Sequence, residues 1–151
     1  MSKLEVSRII SAAPETVFAR FTDLRNAHRH IDAITRLEVL TDGPIRVGSR
    51  FRETRVMFKK EHTEEMEVIE FTPVTSYTVR CDSCGARYES QFRFDPTPDG
   101  ETRVMMHMSW KPLTFFAKLM SPLGRLMAGS LKNCLTKDLD DMAKTLENAV
   151  R

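Results

Sequence analysis

Residues 76–112 decide the fold, and they read SYTVRCDSCGARYESQFRFDPTPDGETRVMMHMSWKP. Apolar and polar residues alternate in three runs within this stretch, as they do in strands that bury one face. Turn residues separate the runs at 82–83 and at 96–100. The apolar faces carry Tyr77, Val79 and Cys81, then Tyr88, Phe92 and Phe94, then Val104, Met106, Met108 and Trp110. Apart from Met105, the opposite faces are polar, which predicts a sheet with one face in water.

Four further strands are predicted upstream of this stretch. They cover residues 4–10, 34–40, 47–58 and 65–71. The last three end at turn residues 42–44, 59–60 and 72–73. From Ile34 onward six strands follow one another through short links, whereas parallel neighbours would need long crossovers. The sequence therefore predicts an antiparallel meander.

Helices are predicted after the first strand and after the last. A helix is predicted to begin at Ala13-Pro14-Glu15, because proline suits the first helical position and an acid suits the first turn. A second, short helix is predicted over residues 23–30. A short helix at 114–120 precedes a long one that begins at Ser121-Pro122. About 28 residues of helix span on the order of 40 Å, enough to cross the sheet. Its apolar stripe comprises Leu123, Met127, Leu131, Leu135, Leu139, Met142, Leu146 and Val150.

Composition places the chain among globular proteins of one domain. The 151 residues are 41% hydrophobic and 29% charged, with a net charge of +2. That balance is far from the basic footprint of a nucleic-acid-binding protein, so no nucleic-acid partner is predicted. Three cysteines, together with the absence of a leader or membrane-span pattern, favour a cytoplasmic protein with reduced thiols. We expect one domain over residues 1–151.

Four local patterns resemble the START-like superfamily, also called SRPBCC, which includes polyketide cyclase/dehydrase-like proteins and lipid-transport proteins. These patterns are AAPETVF at 12–18, VGSRF at 47–51, VIEFTP at 68–73 and DGETRV at 99–104. The resemblance implies the α+β helix-grip fold, in which a curved antiparallel sheet of about seven strands, ordered β-α-α-β6-α, wraps around a long C-terminal helix. Many members carry a tryptophan after the second helix, where this chain has His30.

The resemblance also implies a cavity between the sheet and the C-terminal helix, and we predict that it binds a small hydrophobic or lipid-like molecule. Nine methionines suit such a wall, because methionine adapts to varied apolar shapes. Packing of the same side chains into a filled core is the alternative. Tyr77 and Tyr88 would offer hydroxyls on an apolar face. The predicted wall comprises Phe51, Met66, Val68, Tyr77, Val79, Tyr88, Phe92, Met106, Met108, Trp110, Phe116, Met120, Leu123 and Met127.

Three polar residues are candidate anchors for a ligand. Glu53 and Arg55 share one strand face with Phe51 and Met57, and the resemblance favours that face inward. A buried charge is costly unless it is paired, so an inward placement would mark an anchor. A bulge that turns Glu53 and Arg55 outward is the alternative. His30 is the third candidate, since its side chain titrates near neutral pH.

No catalytic constellation, cofactor motif or metal site is predicted. Cys81 and Cys84 form a lone C-x-x-C at a hairpin turn, without the second ligand pair of a zinc site or the βαβ unit of a redox motif. The chain lacks the glycine-rich and nucleophile motifs of phosphate, nicotinamide and acyl chemistry. A cyclase or dehydratase that uses His30, Glu53 or Arg55 as acid–base groups remains an alternative function.

The segment 111–137 suggests two further alternatives. It carries five cations and no acid, together with Phe115 and Phe116. A basic amphipathic segment with aromatic residues can lie on an anionic membrane, so lipid delivery through peripheral membrane contact is one alternative. A pocket lid with a solvated cationic face is the other reading of this segment.

Overall fold

The computed structural model describes residues 2–119 and 128–150, and its elements follow the predicted order. The strands are β1 (Ser2–Ile10), β2 (Ile34–Val39), β3 (Arg50–Met57), β4 (Lys60–Thr72), β5 (Ser76–Ser83), β6 (Ala86–Pro96) and β7 (Thr102–Pro112). The helices are α1 (Pro14–Thr22), a 3₁₀-helix (Leu24–Arg29), α2 (Phe115–Leu119) and α3 (Ala128–Val150). The predicted start of the long helix, with Leu123 and Met127, lies outside the described residues.

The seven strands form one antiparallel sheet in the order β1-β7-β6-β5-β4-β3-β2. Consecutive strands from β2 to β7 pair as hairpins, and β1 closes the order by pairing with β7. The helix-grip α+β fold is therefore confirmed. The register shifts at two places only in the described ladders, between Ile34 and Arg36 on β2 and between Val68 and Glu70 on β4.

The core lies between the sheet and the helices. From α3 it takes Leu135, Leu139, Met142 and Leu146, which are the predicted stripe at helical spacing. From α1 it takes Val17, Phe18 and Phe21. The rings of Phe18 and Phe21 each meet the ring of Phe94 on β6 edge-on at 5.3 Å. Burial of these apolar faces stabilises the packing of α1 and α3 on the sheet.

The ends of the strands determine where the interior can open. At one end α1 and the 3₁₀-helix pack Phe21, Leu24 and Ala27 over the concave face. The β3–β4 and β5–β6 turns lie at the other end, together with α2. The Leu113 N–H donates to the Gly85 carbonyl at 2.7 Å, which ties the start of α2 to the β5–β6 turn.

Candidate functional site

A cavity of about 570 Å³ lies between the concave face of the sheet and α3. Its wall is largely apolar and comes from β2 to β7, from α1 and the 3₁₀-helix, and from α3. At the closed end the wall residues Phe21, Leu24 and Ala27 are buried. At the hairpin end the wall residues Phe58, His62 and Cys84 are exposed. The cavity therefore opens to solvent beside the two hairpin turns.

The structure brings nine of the predicted wall residues together around this cavity. They are Phe51, Met66, Tyr77, Val79, Tyr88, Phe92, Met106, Met108 and Trp110. Val68 is fully buried in the core and does not line the cavity. Phe116 lies on α2 with 72% of its surface exposed, away from the wall. Met120, Leu123 and Met127 fall outside the described residues.

Glu53 and Arg55 of β3 point into the cavity, where they meet Asp138 of α3. The Arg55 Nε donates to Glu53 Oε1 at 2.6 Å, and Nη1 donates to Asp138 Oδ2 at 2.9 Å. The three side chains are only 11% to 16% exposed. Burial alone would lower the pKa of Arg55, but Glu53 and Asp138 outweigh it and hold that pKa above its ordinary value. Burial raises the pKa of Asp138, although Arg55 opposes the shift.

The alternative in which a bulge turns Glu53 and Arg55 outward is wrong. Every residue of β3 from Arg50 to Met57 pairs with β4 in unbroken register, so the alternation of its faces is preserved. Phe51 is buried on the same face, which carries both charged side chains inward with it. The cost of burying them is offset because each charge has a partner of opposite sign.

His30 lies outside the cavity wall. It follows the 3₁₀-helix, and its half-buried ring is not among the side chains that line the interior. Burial lowers the pKa of His30, and the positive charge of Arg20 lowers it further. The imidazole is therefore biased toward its neutral form, and it does not line the cavity.

The two predicted tyrosines differ in what their hydroxyls can do. The Tyr77 hydroxyl donates to the Phe21 carbonyl at 3.4 Å, and its ring stacks on Phe92 at 4.8 Å. Burial raises the pKa of Tyr77, so it stays a phenol that anchors α1 to the sheet. Tyr88 stacks on Trp110 at 6.5 Å near the open end, and burial raises its pKa as well.

A second polar group lines the wall near the open end, and the sequence prediction missed it. The Ser83 hydroxyl donates to Glu64 Oε1 at 2.7 Å, and the Cys81 thiol lies 3.8 Å from Glu64 Oε2. Burial, and then the charge of Glu64, raise the pKa of Cys81 to about 12. The alternation of side chains along β4 could have revealed the inward position of Glu64, because Glu64 lies two residues before Met66 and so shares its strand face.

The C-x-x-C motif is an ordinary hairpin feature. Cys81 lies on the inward face of β5, while Cys84 and Gly85 form the two-residue turn with left-handed φ angles of 53° and 75°. All three cysteines are free. Within residues 2–119 and 128–150, no group of three or more potential ligands could hold a metal ion. None of the described helices is long and apolar enough to cross a membrane.

Comparison with known proteins links this architecture to one family. The family model described as polyketide cyclase/dehydrase and lipid transport matches residues 1–147. No curated protein matches the chain. Among solved structures, the Zhui aromatase/cyclase from Streptomyces sp. R1128 has a TM-score of 0.84 at 12% identity, over 99% of this chain and 96% of that one.

Two further structures share the fold at similar distance. TTHA0849 from Thermus thermophilus has a TM-score of 0.79 at 20% identity, over 99% of this chain and 100% of that one. A norcoclaurine synthase point mutant from Thalictrum flavum, solved with a transition-state analogue, has a TM-score of 0.72 at 16% identity, over 99% and 96% of the chains. At these identities the likeness extends to the fold alone.

Proposed function

Because this chain belongs to the polyketide cyclase/dehydrase and lipid transport family, we propose that it binds a small hydrophobic molecule in the cavity between its sheet and α3. The observation that carries the proposal is the cavity itself. Its volume of about 570 Å³ and its aromatic and methionine-rich wall are those of a site for a small organic ligand. Transfer of such a ligand from water contributes about 25 cal/mol per Å² of apolar surface buried.

The charged group on the wall would orient the ligand. Arg55 is held on two sides by Glu53 and Asp138, so its guanidinium has a fixed direction. Hydrogen bonds from an ionised group are stronger than those between neutral groups. A ligand oxygen would therefore be oriented by Arg55 while the rest of the molecule lies against the apolar wall.

The test is a fluorescence titration with N-phenyl-1-naphthylamine, a neutral probe that brightens in apolar surroundings. Met108 lines the cavity from β7, whereas Met105 of the same strand does not. We expect saturable binding that Met108→Trp weakens by about tenfold or more, because the larger ring occupies ligand volume. Met105→Trp is the matched control and should leave the affinity unchanged. No saturable binding to the wild-type protein would refute the proposal.

A cyclase or dehydratase reaction is the alternative for the same cavity. Of the three acid–base candidates, Glu53 and Arg55 line the wall and His30 does not. Such a reaction would therefore rest on the charged group of β3. Turnover of a polyketide thioester that is lost in Glu53→Gln and retained in His30→Ala would support it, whereas loss in His30→Ala with the fold intact would count against this assignment.

Lipid delivery to a membrane is a second candidate function, and the surface of α2 favours it. Three apolar side chains of α2 are largely exposed, namely Phe115 (83%), Phe116 (72%) and Leu119 (66%). The exposed Lys118 lies between Phe116 and Leu119 in the sequence. Exposed aromatic residues beside a cation suit the interface of an anionic bilayer. Because α2 adjoins the β5–β6 turn, a membrane bound there would lie near the open end of the cavity.

Vesicle co-sedimentation tests this second candidate. We expect binding to vesicles with phosphatidylserine, little binding to pure phosphatidylcholine, and loss of binding in Lys118→Glu with Phe116→Ser. Lys144→Glu, an exposed charge reversal on α3, is the matched control and should bind as wild type does. Equal binding to both vesicle types, or to neither, would exclude the candidate.

A further inference from the structure

The charge of the cavity wall has the opposite sign to the charge of the chain. The whole sequence carries +2. With the wall residue His62 counted as neutral, as in the charge of the chain, the described charged side chains on the wall are three carboxylates and one guanidinium, a net charge of −2. These residues are Glu53, Glu64, Asp138 and Arg55. A partly buried negative site disfavours an anion and favours a cation.

Glu64 is the carboxylate that this arrangement leaves without a cation. It faces Glu53 directly across the β3–β4 ladder, and both line the cavity. Arg55 is engaged by Glu53 and Asp138. The hydrogen-bond partners of Glu64 are the neutral hydroxyl of Ser83 and thiol of Cys81, and no cationic nitrogen lies within 4.0 Å of it in the described parts of the chain.

Two aromatic side chains near Glu64 also suit a cation. Tyr88 and Trp110 stack on each other at 6.5 Å, and both line the cavity. Cys81, whose thiol contacts Glu64, pairs with Tyr88 across the β5–β6 ladder. Tyr88 in turn pairs with Trp110 across the β6–β7 ladder. Aromatic faces attract ammonium groups, and the attraction grows when water is excluded. The aromatic pair and the free carboxylate therefore favour the same kind of ligand group.

Ser90 is independent support for a ligand with polar atoms. Its residue is only 8% exposed, and its side chain lines the cavity between Val79 and Met108. None of the described hydrogen bonds involves its hydroxyl, whereas every side-chain oxygen that is completely buried in the described structure has a partner. The Ser90 hydroxyl therefore reaches the open space of the cavity, where a polar atom of a ligand would meet it.

We infer that the cavity selects an amphiphilic amine, with its protonated ammonium group against the Glu64 carboxylate and its apolar body along the sheet. The inference rests on the proposed function and specifies the class of ligand. The ammonium would donate to Glu64 beside Tyr88 and Trp110. Ser90 would meet a second polar atom along the body of the ligand.

Three probes of equal chain length test this selectivity, each displacing N-phenyl-1-naphthylamine at pH 7.5. They are decylammonium, decan-1-ol and decanoate. We expect decylammonium to bind at least about tenfold more tightly than decan-1-ol, and decanoate to bind most weakly. Glu64→Gln should bring the ratio of the affinities for decylammonium and decan-1-ol close to one. Saturable binding of decan-1-ol by the variant also shows that it is folded.

Glu61→Gln is the matched control, because Glu61 lies on the same strand with its side chain exposed and away from the cavity wall. It removes the same charge and should preserve the preference. If decan-1-ol binds and decylammonium binds no more tightly, the inference is overturned while the proposed function stands. If none of the three probes displaces the dye, the proposed function itself fails.

Discussion

Arg55 of β3 and Asp138 of α3 are joined by a hydrogen-bonded ion pair, with Nη1 2.9 Å from Oδ2. The two residues are 83 positions apart in the chain, and the pair connects the sheet to the long helix at the cavity wall. A second hydrogen bond from Arg55 to Glu53 completes the group. One cation thus compensates two buried carboxylates.

Replacing Arg55 should therefore destabilise the fold strongly. Arg55→Met leaves Glu53 and Asp138 buried without a cation, and we expect the free energy of unfolding to fall by about 3 kcal/mol. Arg50 of the same strand pairs with Glu65 and Glu67 on the exposed face. Arg50→Met should cost less than about 1 kcal/mol, because exposed ion pairs contribute little. Urea titrations check both values, and similar losses in the two variants would contradict this account.

The pH dependence of the unfolding free energy should reveal the protonation of Asp138. Burial raises its folded-state pKa above the ordinary value of 3.8, so the native protein holds this proton more tightly than the unfolded chain does. Between those two pKa values stability increases as the pH falls. The unfolding free energy of the wild type, minus that of Asp138→Asn, should therefore rise on acidification from pH 7 toward pH 4. A difference that shrinks would show that Arg55 outweighs burial.

Gly85 should tolerate a side chain less well than Gly100. Both adopt left-handed backbone, with φ of +75° and +79°, so alanine strains either one by about 1–2 kcal/mol. A Cβ at Gly85 would also lie 2.7 Å from the Thr114 Oγ1, whereas nothing lies within 4 Å of one at Gly100. Thermal melts should place Gly85→Ala below Gly100→Ala. Equal melting temperatures would mean that Thr114, just before α2, moves away from the new methyl group without a loss of stability.

The strand order was predictable because alternation and turn residues mark most of the strands. The start of β4 was not: the strand begins at Lys60 rather than Glu65, because residues 60–65 are all polar and only pairing with β3 makes them a strand. That error concealed the inward position of Glu64. The sequence prediction also missed Asp138, since a lone acid beside an apolar helical stripe shows its role only when Arg55 is seen opposite it.

The direction of Glu53 and Arg55 could not be decided from the sequence either. Alternation alone leaves two faces for β3, and the choice depends on whether the ladder contains a bulge. Unbroken pairing from Arg50 to Met57 decides it. Long-range pairing, rather than local pattern, thus determines which polar residues of this chain reach the cavity.

Methionine methyl NMR tests most directly whether the cavity holds the ligand. Among the described residues, five methionines line the cavity, namely Met57, Met66, Met106, Met108 and Met142, whereas Met105 does not. During titration of methyl-labelled protein with decan-1-ol, the five cavity methyl signals should shift together and saturate, while the Met105 signal stays in place. Saturable shifts at Met105 with the cavity methyl signals unmoved would contradict the claim.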